Sequence, residues 1–246
     1  MQQQFEEFQQ ASQAPEIVRP VPAPDSIMGE VGIVAVASGA GMQRVFKSLG
    51  VGAVVPGGQT MNPSTQDIIQ SVDSLKQEDV VILPNNSNII LTAEQAKTIS
   101  HRNVAVLPTR TIPQGIAALL AFNYQAGLEE NIAAMLEAIN HVQTVEITRA
   151  VRSVQVNGLK VSEGQVIGLL NDELLAAAEG ISETVMDIFE HLDAQDYEIV
   201  TMYYGEDTPE EDAQQLADMI RQRYSQLDVE VLDGGQAHYY YIISVE

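Results

Sequence analysis

Gly57-Gly58-Gln59-Thr60-Met61-Asn62-Pro63-Ser64-Thr65 follows a short apolar run, Val51 to Val55. It opens an amphipathic run carrying Ile68, Ile69, Val72 and Leu75. Such a sequence reads as strand, loop and helix. The paired glycines permit close backbone approaches that a side chain would block. Asn62 or Ser64 is placed to cap the helix, with Pro63 suited to its first turn. Thr60, Asn62, Ser64 and Thr65 then set hydroxyl and amide groups beside a positive helix end, a cradle for a carboxylate or phosphate. The competing reading is a well-capped connection of the kind α/β folds use routinely.

The same arrangement recurs on both sides. Val31 to Ala37 is a buried-strand pattern, and Ser38-Gly39-Ala40-Gly41 turns it into a helix through Gln43, Val45, Phe46 and Leu49. Gly39 and Gly41 match the first two glycines of a dinucleotide fingerprint, but Arg44 takes the third glycine's place. No Gly-Lys-Ser/Thr follows either, so the turn is expected to bind a small anion or merely to turn. Val80 to Leu83 is the next strand, leading through Pro84-Asn85-Asn86-Ser87-Asn88 to a helical stretch over Ile89 to Ile99, capped at Asn86/Ser87 or starting at Thr92. Val104 to Leu107 then leads through Pro108-Thr109-Arg110-Thr111-Ile112-Pro113-Gln114-Gly115 to an apolar helix, and Leu128 to about Asn140 forms another.

Alternating strands and helices predict a parallel sheet with both faces covered. Ligands of such sheets bind beyond the carboxyl ends of the strands, and all four loops follow strands. The candidate anion ligands are therefore Ser38, Gly39, Gly41, Gly58, Thr60, Asn62, Ser64, Asn86, Ser87, Thr109 and Arg110. Arg110 is a cation able to grip a carboxylate or phosphate in forked geometry; the alternative is a surface ion pair.

From Thr144 the pattern changes. Thr144 to Val156 alternates like a strand, Asn157-Gly158 marks a turn, and Gln165 to Leu170 is another strand. Ile181 to Leu192 is a helix and Ile199 to Tyr203 a strand. Thr208-Pro209-Glu210-Glu211 has the form of a capping box opening a helix to about Tyr224. Val229 to Leu232 and Tyr239 to Val245 close the chain as strands around Gly234-Gly235. The expected division is a polar, Pro-rich linker over 1–29, a first α/β subdomain over 30–142 and a second, smaller α/β unit over 143–246. A linker at the start suggests a part that once preceded it.

Composition bounds the chemistry. Of 246 residues 45% are apolar, enough to bury a core, and cysteine is absent, which excludes disulfides and thiol catalysis. No run is long enough to span a bilayer and no signal-peptide core opens the chain, so the expected location is the cytoplasm. A net charge of −22 argues against nucleic acid and anionic membranes as partners. No Lys or Arg lies between Lys160 and Arg221, which leaves either a solvated acidic face or a docking surface for a basic partner. His101, His141, His191 and His238 form no short metal motif, and no Gly-x-Ser-x-Gly elbow occurs. Asp172-Glu173 and Glu206-Asp207 read as helix-start carboxylates or as acid/base pairs.

Taken together, Gly57 to Thr65, Leu83 to Asn88, Pro108 to Gly115 and the ending Gly234-Gly235-Gln236 with Tyr239 to Glu246 resemble the C-terminal region of the ATP-binding subunit of bacterial fatty acid kinase. That family is also labelled a dihydroxyacetone-kinase-related fusion protein. The resemblance covers about Gly32 to Glu246 and extends, more distantly, to the DegV proteins, which carry fatty acids. Gln59 to Ser64 sits where DegV proteins have a Thr-Ser-Gln-Pro-Ser loop, and Asn86-Ser87-Asn88 where they have Ser-Gly-Thr. Thr109-Arg110-Thr111 sits at their third loop, and Ala237-His238-Tyr239 replaces their His-Thr-Gly segment. The resemblance implies a DegV-like fold of two subdomains. It implies Thr60, Ser64 and Ser87 as inheritors of the carboxylate or acyl-phosphate site, and a middle segment shortened between Val156 and Ile181. It also implies no catalytic group, cofactor or metal in this chain, with ATP and magnesium confined to a preceding nucleotide domain. The implied partner is a DegV-type fatty-acid-carrying protein, for which this chain is a docking module. The alternative is a lipid-binding protein that grips a fatty acid itself. Self-association into a homo-oligomer is left open, and an independent small-molecule kinase is a third, weaker option because phosphate and metal motifs are missing.

Overall fold

The computed structural model describes Gly29–Glu246 apart from Gln59, Thr60 and Asn157. The Gln-rich start and Pro-rich linker read from the sequence, and Thr60, lie outside the described residues.

Val31–Ala37 (β1) is buried along its whole length, as expected of a strand covered on both faces. It is flanked by Ala53–Pro56 (β2) and Asp79–Leu83 (β3), with Asn103–Val106 (β4) beyond β3. The order is β2-β1-β3-β4 and every pair is parallel. The helices are Ala40–Ser48 (α1), Thr65–Ser74 (α2), Ile90–Ile99 (α3), Ile112–Leu120 (α4) and Leu128–Ala138 (α5). Strand alternation splits the core. Val34, Val36, Val80 and Ile82 face Ile68, Val72, Ala93 and Ala96 of α2 and α3. Ile33, Ala35, Val81 and Leu83 face Met42, Phe46, Ile116, Leu119 and Met135 of α1, α4 and α5. Fully burying each of the larger side chains contributes roughly 1.5–3 kcal/mol.

The second sheet is mixed and, with six strands, wider than the first. Its strands are Gln143–Arg149 (β5), Val166–Leu170 (β8), Glu173–Ala178 (β9), Ile199–Tyr204 (β10), Asp228–Asp233 (β11) and Tyr239–Val245 (β12). Their order is β11-β10-β12-β5-β8-β9, parallel only between β10 and β11. Ile181–His191 (α6) and Glu210–Arg223 (α7) cover one face around Ile188, Phe189, Leu216 and Ile220. The other face meets the first unit: Tyr203 and Ile242 join the core under α1 and α4. Val154–Val156 (β6) and Leu159–Val161 (β7) form a separate hairpin.

Several local readings are corrected. Helix α3 occupies the expected stretch, but it starts at neither Asn86/Ser87 nor Thr92; Ile89 stands at its N-cap, with no side chain capping. Ser64 does cap α2, in a reciprocal box with Asp67, but Pro63 precedes the cap rather than entering the first turn. Thr208 caps nothing in α7; its hydroxyl donates to the Tyr240 carbonyl (3.2 Å). Thr144 to Val156 is two strands, broken at Ala150–Ser153. Asp172-Glu173 starts no helix: Asn171 and Asp172, both left-handed (φ 51 and 70), turn β8 into β9. Short polar side chains tolerate that conformation, so a two-residue hairpin forms there.

Candidate functional site

Because β1 to β4 are parallel, the turns after them share one edge, and the second unit's β5 and β12 close over it. An inner cavity of about 30 Å3 is lined by Ser38, Gly58, Asn85, Asn86, Glu146 and Tyr239, among others. That is room for one small group. Ser38, Gly58 and Tyr239 also border an outer recess of about 400 Å3, which continues to Met61, Glu206, Ala237 and His238. Of the two, only the outer recess falls in the range typical of ligand sites. A hollow of about 330 Å3 on the second unit, around Asp207, Thr208, Met219 and Tyr240, receives nothing from the four loops.

The predicted ligands separate on inspection. Ser38, Gly58 and Asn86 line the inner cavity, and Ser38, Gly39 and Gly58 the outer recess. Thr109 is fully buried beneath them, and its hydroxyl accepts from the Asn85 amide (3.0 Å). Gly41 is elsewhere occupied. The Met42 amide of α1's first turn donates to the Gly234 carbonyl (2.9 Å), and Gly41 packs on Asp233 and Gly234. Gly39 (φ 87) permits that approach. The glycine-rich turn thus serves as a contact between the two units. Ser64 is engaged with Asp67 (2.6 Å), and Asn62 is exposed. The Ser87 hydroxyl donates to Asp172 of the β8–β9 turn (2.7 Å). Arg110 is exposed, lines neither cavity and has no ion-pair partner among the described residues; its backbone amide donates to Gln114 Oε1 (2.7 Å).

Four residues outside the predicted ligand set shape the cleft. Asn85, left-handed at φ 55 and 5% exposed, donates through Nδ2 to the Val36 carbonyl (3.0 Å), which fixes its amide orientation. Its Oδ1 has no partner among the described residues. Glu146 of β5 is half-buried and hydrogen-bonded to the Tyr239 hydroxyl. Burial first, and the Asp172 charge second, push its carboxyl up to about 7, against the opposing pull of that hydrogen bond. Burial likewise drives the Tyr239 phenol far above its ordinary value. Glu206 borders the outer recess. Among the described residues no Lys or Arg lines either cavity. An asparagine directly after Pro84 at the strand's end was the one local signal; Glu146 comes from a strand and Glu206 from a turn, both over 60 residues away.

Among the described residues no group of three or more His, Cys, Asp or Glu is arranged to hold a metal ion. No helix of the described residues is long and apolar enough to cross a membrane.

Residues 32–246 match the family model for the C-terminal region of FakA-like fatty acid kinase proteins. The chain belongs to that family. It is 42% identical over 215 residues to Protein YloV of Bacillus subtilis (strain 168), covering 87% of this chain and 39% of that protein. The chain therefore spans about 40% of the length of the curated relatives it matches. The fold is DegV-like. A hypothetical protein from Thermotoga maritima, described as revealing fatty acid binding function, superposes with a TM-score of 0.64 at 12% identity, over 89% of this chain and 99% of that one. The Streptococcus pneumoniae fatty acid kinase B3 protein loaded with linoleic acid gives 0.54 at 14% identity, over 88% and 99%. At these identities the likeness establishes the fold alone.

Proposed function

We propose that this chain handles fatty acids as a DegV-like module of a fatty acid kinase, seating a fatty-acid head in the cleft between its two units. The observation that carries the reading is the outer recess of about 400 Å3 at the carboxyl ends of the parallel strands, bordered by Ser38, Gly39 and Gly58, with the inner cavity and Asn86 adjoining it. The family assignment supports it. So do structural neighbours whose own descriptions name fatty acid binding. The ligand set then differs from the sequence expectation: Ser38, Gly58, Asn86, Glu146 and Tyr239 face the head, and Arg110 does not.

A second reading is a non-catalytic module that docks a DegV-type acyl carrier, so that a nucleotide domain elsewhere in the full-length protein phosphorylates the carrier's fatty acid. It is favoured by the small volume of the inner cavity, about 30 Å3, which holds a head group and not an acyl chain. Native mass spectrometry of the chain, alone and mixed with a DegV-type carrier, separates the two. A fatty-acid mass increment on the chain alone supports the lipid seat. A bare chain that complexes with the carrier overturns it and supports docking.

A further inference from the structure

We propose, resting on the lipid-seat reading, that the cleft accepts a carboxyl head only together with one proton held between that head and Glu146, and accepts a hydroxyl head without one. Beside Ser38 and Asn86, the inner cavity holds two strong acceptors. Asn85 Oδ1 is buried and lacks a donor among the described residues. Glu146 brings a carboxyl whose hydrogen bond to Tyr239 uses the phenol's single proton. Asp172 adds a second negative charge at the neighbouring turn, held there by Ser87. Among the described residues no cation lines the cavity to offset these charges.

A carboxylate entering this space meets a like charge in a partly desolvated setting, which is unfavourable unless one of the two groups is neutral. The proton removes that repulsion and supplies a hydrogen bond between the two carboxyls. The titratable groups around Glu146 are Asp172 on the β8–β9 turn and Tyr239 on β12, with Glu206 and His238 farther out in the recess. The loops of the first unit bring no titratable group to the cavity, their polar side chains there being Ser38, Asn85 and Asn86, and α4 brings Ile112. With the Glu146 carboxyl near 7, it carries the shared proton below that pH and loses it above.

The test measures binding of two ten-carbon probes, decanoate and decanol, by titration calorimetry from pH 5.5 to 8.5. Decanoate affinity is expected to be level below about pH 7 and to fall about tenfold per pH unit above it, while decanol affinity stays level. In Glu146→Gln the decline disappears. Should that variant fail to hold decanol, Asp172→Asn decides: removing its charge moves the decanoate midpoint to lower pH. Decanoate binding that is equal at pH 6 and 8.5, or a pH dependence that survives Glu146→Gln, overturns the shared proton and leaves the lipid seat standing. Absence of binding by either probe at every pH overturns the lipid seat and this inference with it.

Discussion

Gly41→Ala tests how the two units are joined. Alanine is the better helix former by up to about 1 kcal/mol, so an unburdened position in α1 would gain stability from the change. Gly41 is not unburdened. A Cβ there would lie 1.9 Å from the Asp233 carbonyl oxygen and 2.7 Å from the Gly234 carbonyl carbon, both backbone atoms. The 233–235 loop must retreat by more than 1 Å, which disturbs the 2.9 Å bond from the Met42 amide to Gly234 and the 2.7 Å ion pair of Arg44 with Asp233. Overpacking of this kind costs about 1–3 kcal/mol, and losing a hydrogen bond adds about 1. The expected net destabilisation, after the propensity gain, is about 2 kcal/mol, read as a lower urea midpoint at unchanged slope. Gly127→Ala is the control, because nothing lies within 4 Å of a Cβ there; as the N-cap of α5, where glycine is preferred to alanine, it should lose at most about 1 kcal/mol. A neutral or stabilising Gly41→Ala would refute the packing of the glycine-rich turn against the second unit.

Three further outcomes are expected. Glu146→Gln should raise stability at pH 8: a carboxyl raised from 4.5 to about 7 binds its proton more tightly in the folded state, so wild-type stability falls as pH rises between those values and then levels. The ceiling on that loss is about 3 kcal/mol, and partial exposure brings it to about 1–2; urea curves at pH 5 and 8 check it, and equal shifts at both pH values contradict it. Gly115→Ala should destabilise by about 1–3 kcal/mol, because its Cβ would fall 2.2 Å from Asn85 Oδ1, an atom pinned by the Val36 bond; thermal unfolding reads the change. Arg110→Ala should leave decanoate binding unchanged, since the side chain lines neither cavity, and a tenfold loss in titration calorimetry would restore it as an anion ligand.

Much of the first unit was legible because its signals are local. Val31 to Ala37 is apolar at every position but Gly32, which marks a strand covered on both faces, and the polar stretches after each strand fix the edge where a site must lie. Ser64 with Asp67 three residues on gives the α2 cap the same way. The second unit was harder. Leu174 to Ala178 has helix-forming composition, yet pairs with β8 as a strand, since a long-range ladder outweighs intrinsic preference.

By itself, then, the sequence determined the parallel sheet, the common edge of its loops and the family resemblance, all of which rest on residues close together in the chain. Only the tertiary structure decided what faces that edge. Ser87 meets Asp172 across 85 residues, and Gly41 packs against Asp233 and Gly234 from the far end of the chain. Such pairings depend on how two separately patterned units close on each other. No periodicity, cap or turn signal encodes that closure, so an edge read as a cradle for anions acquired acids from the other unit.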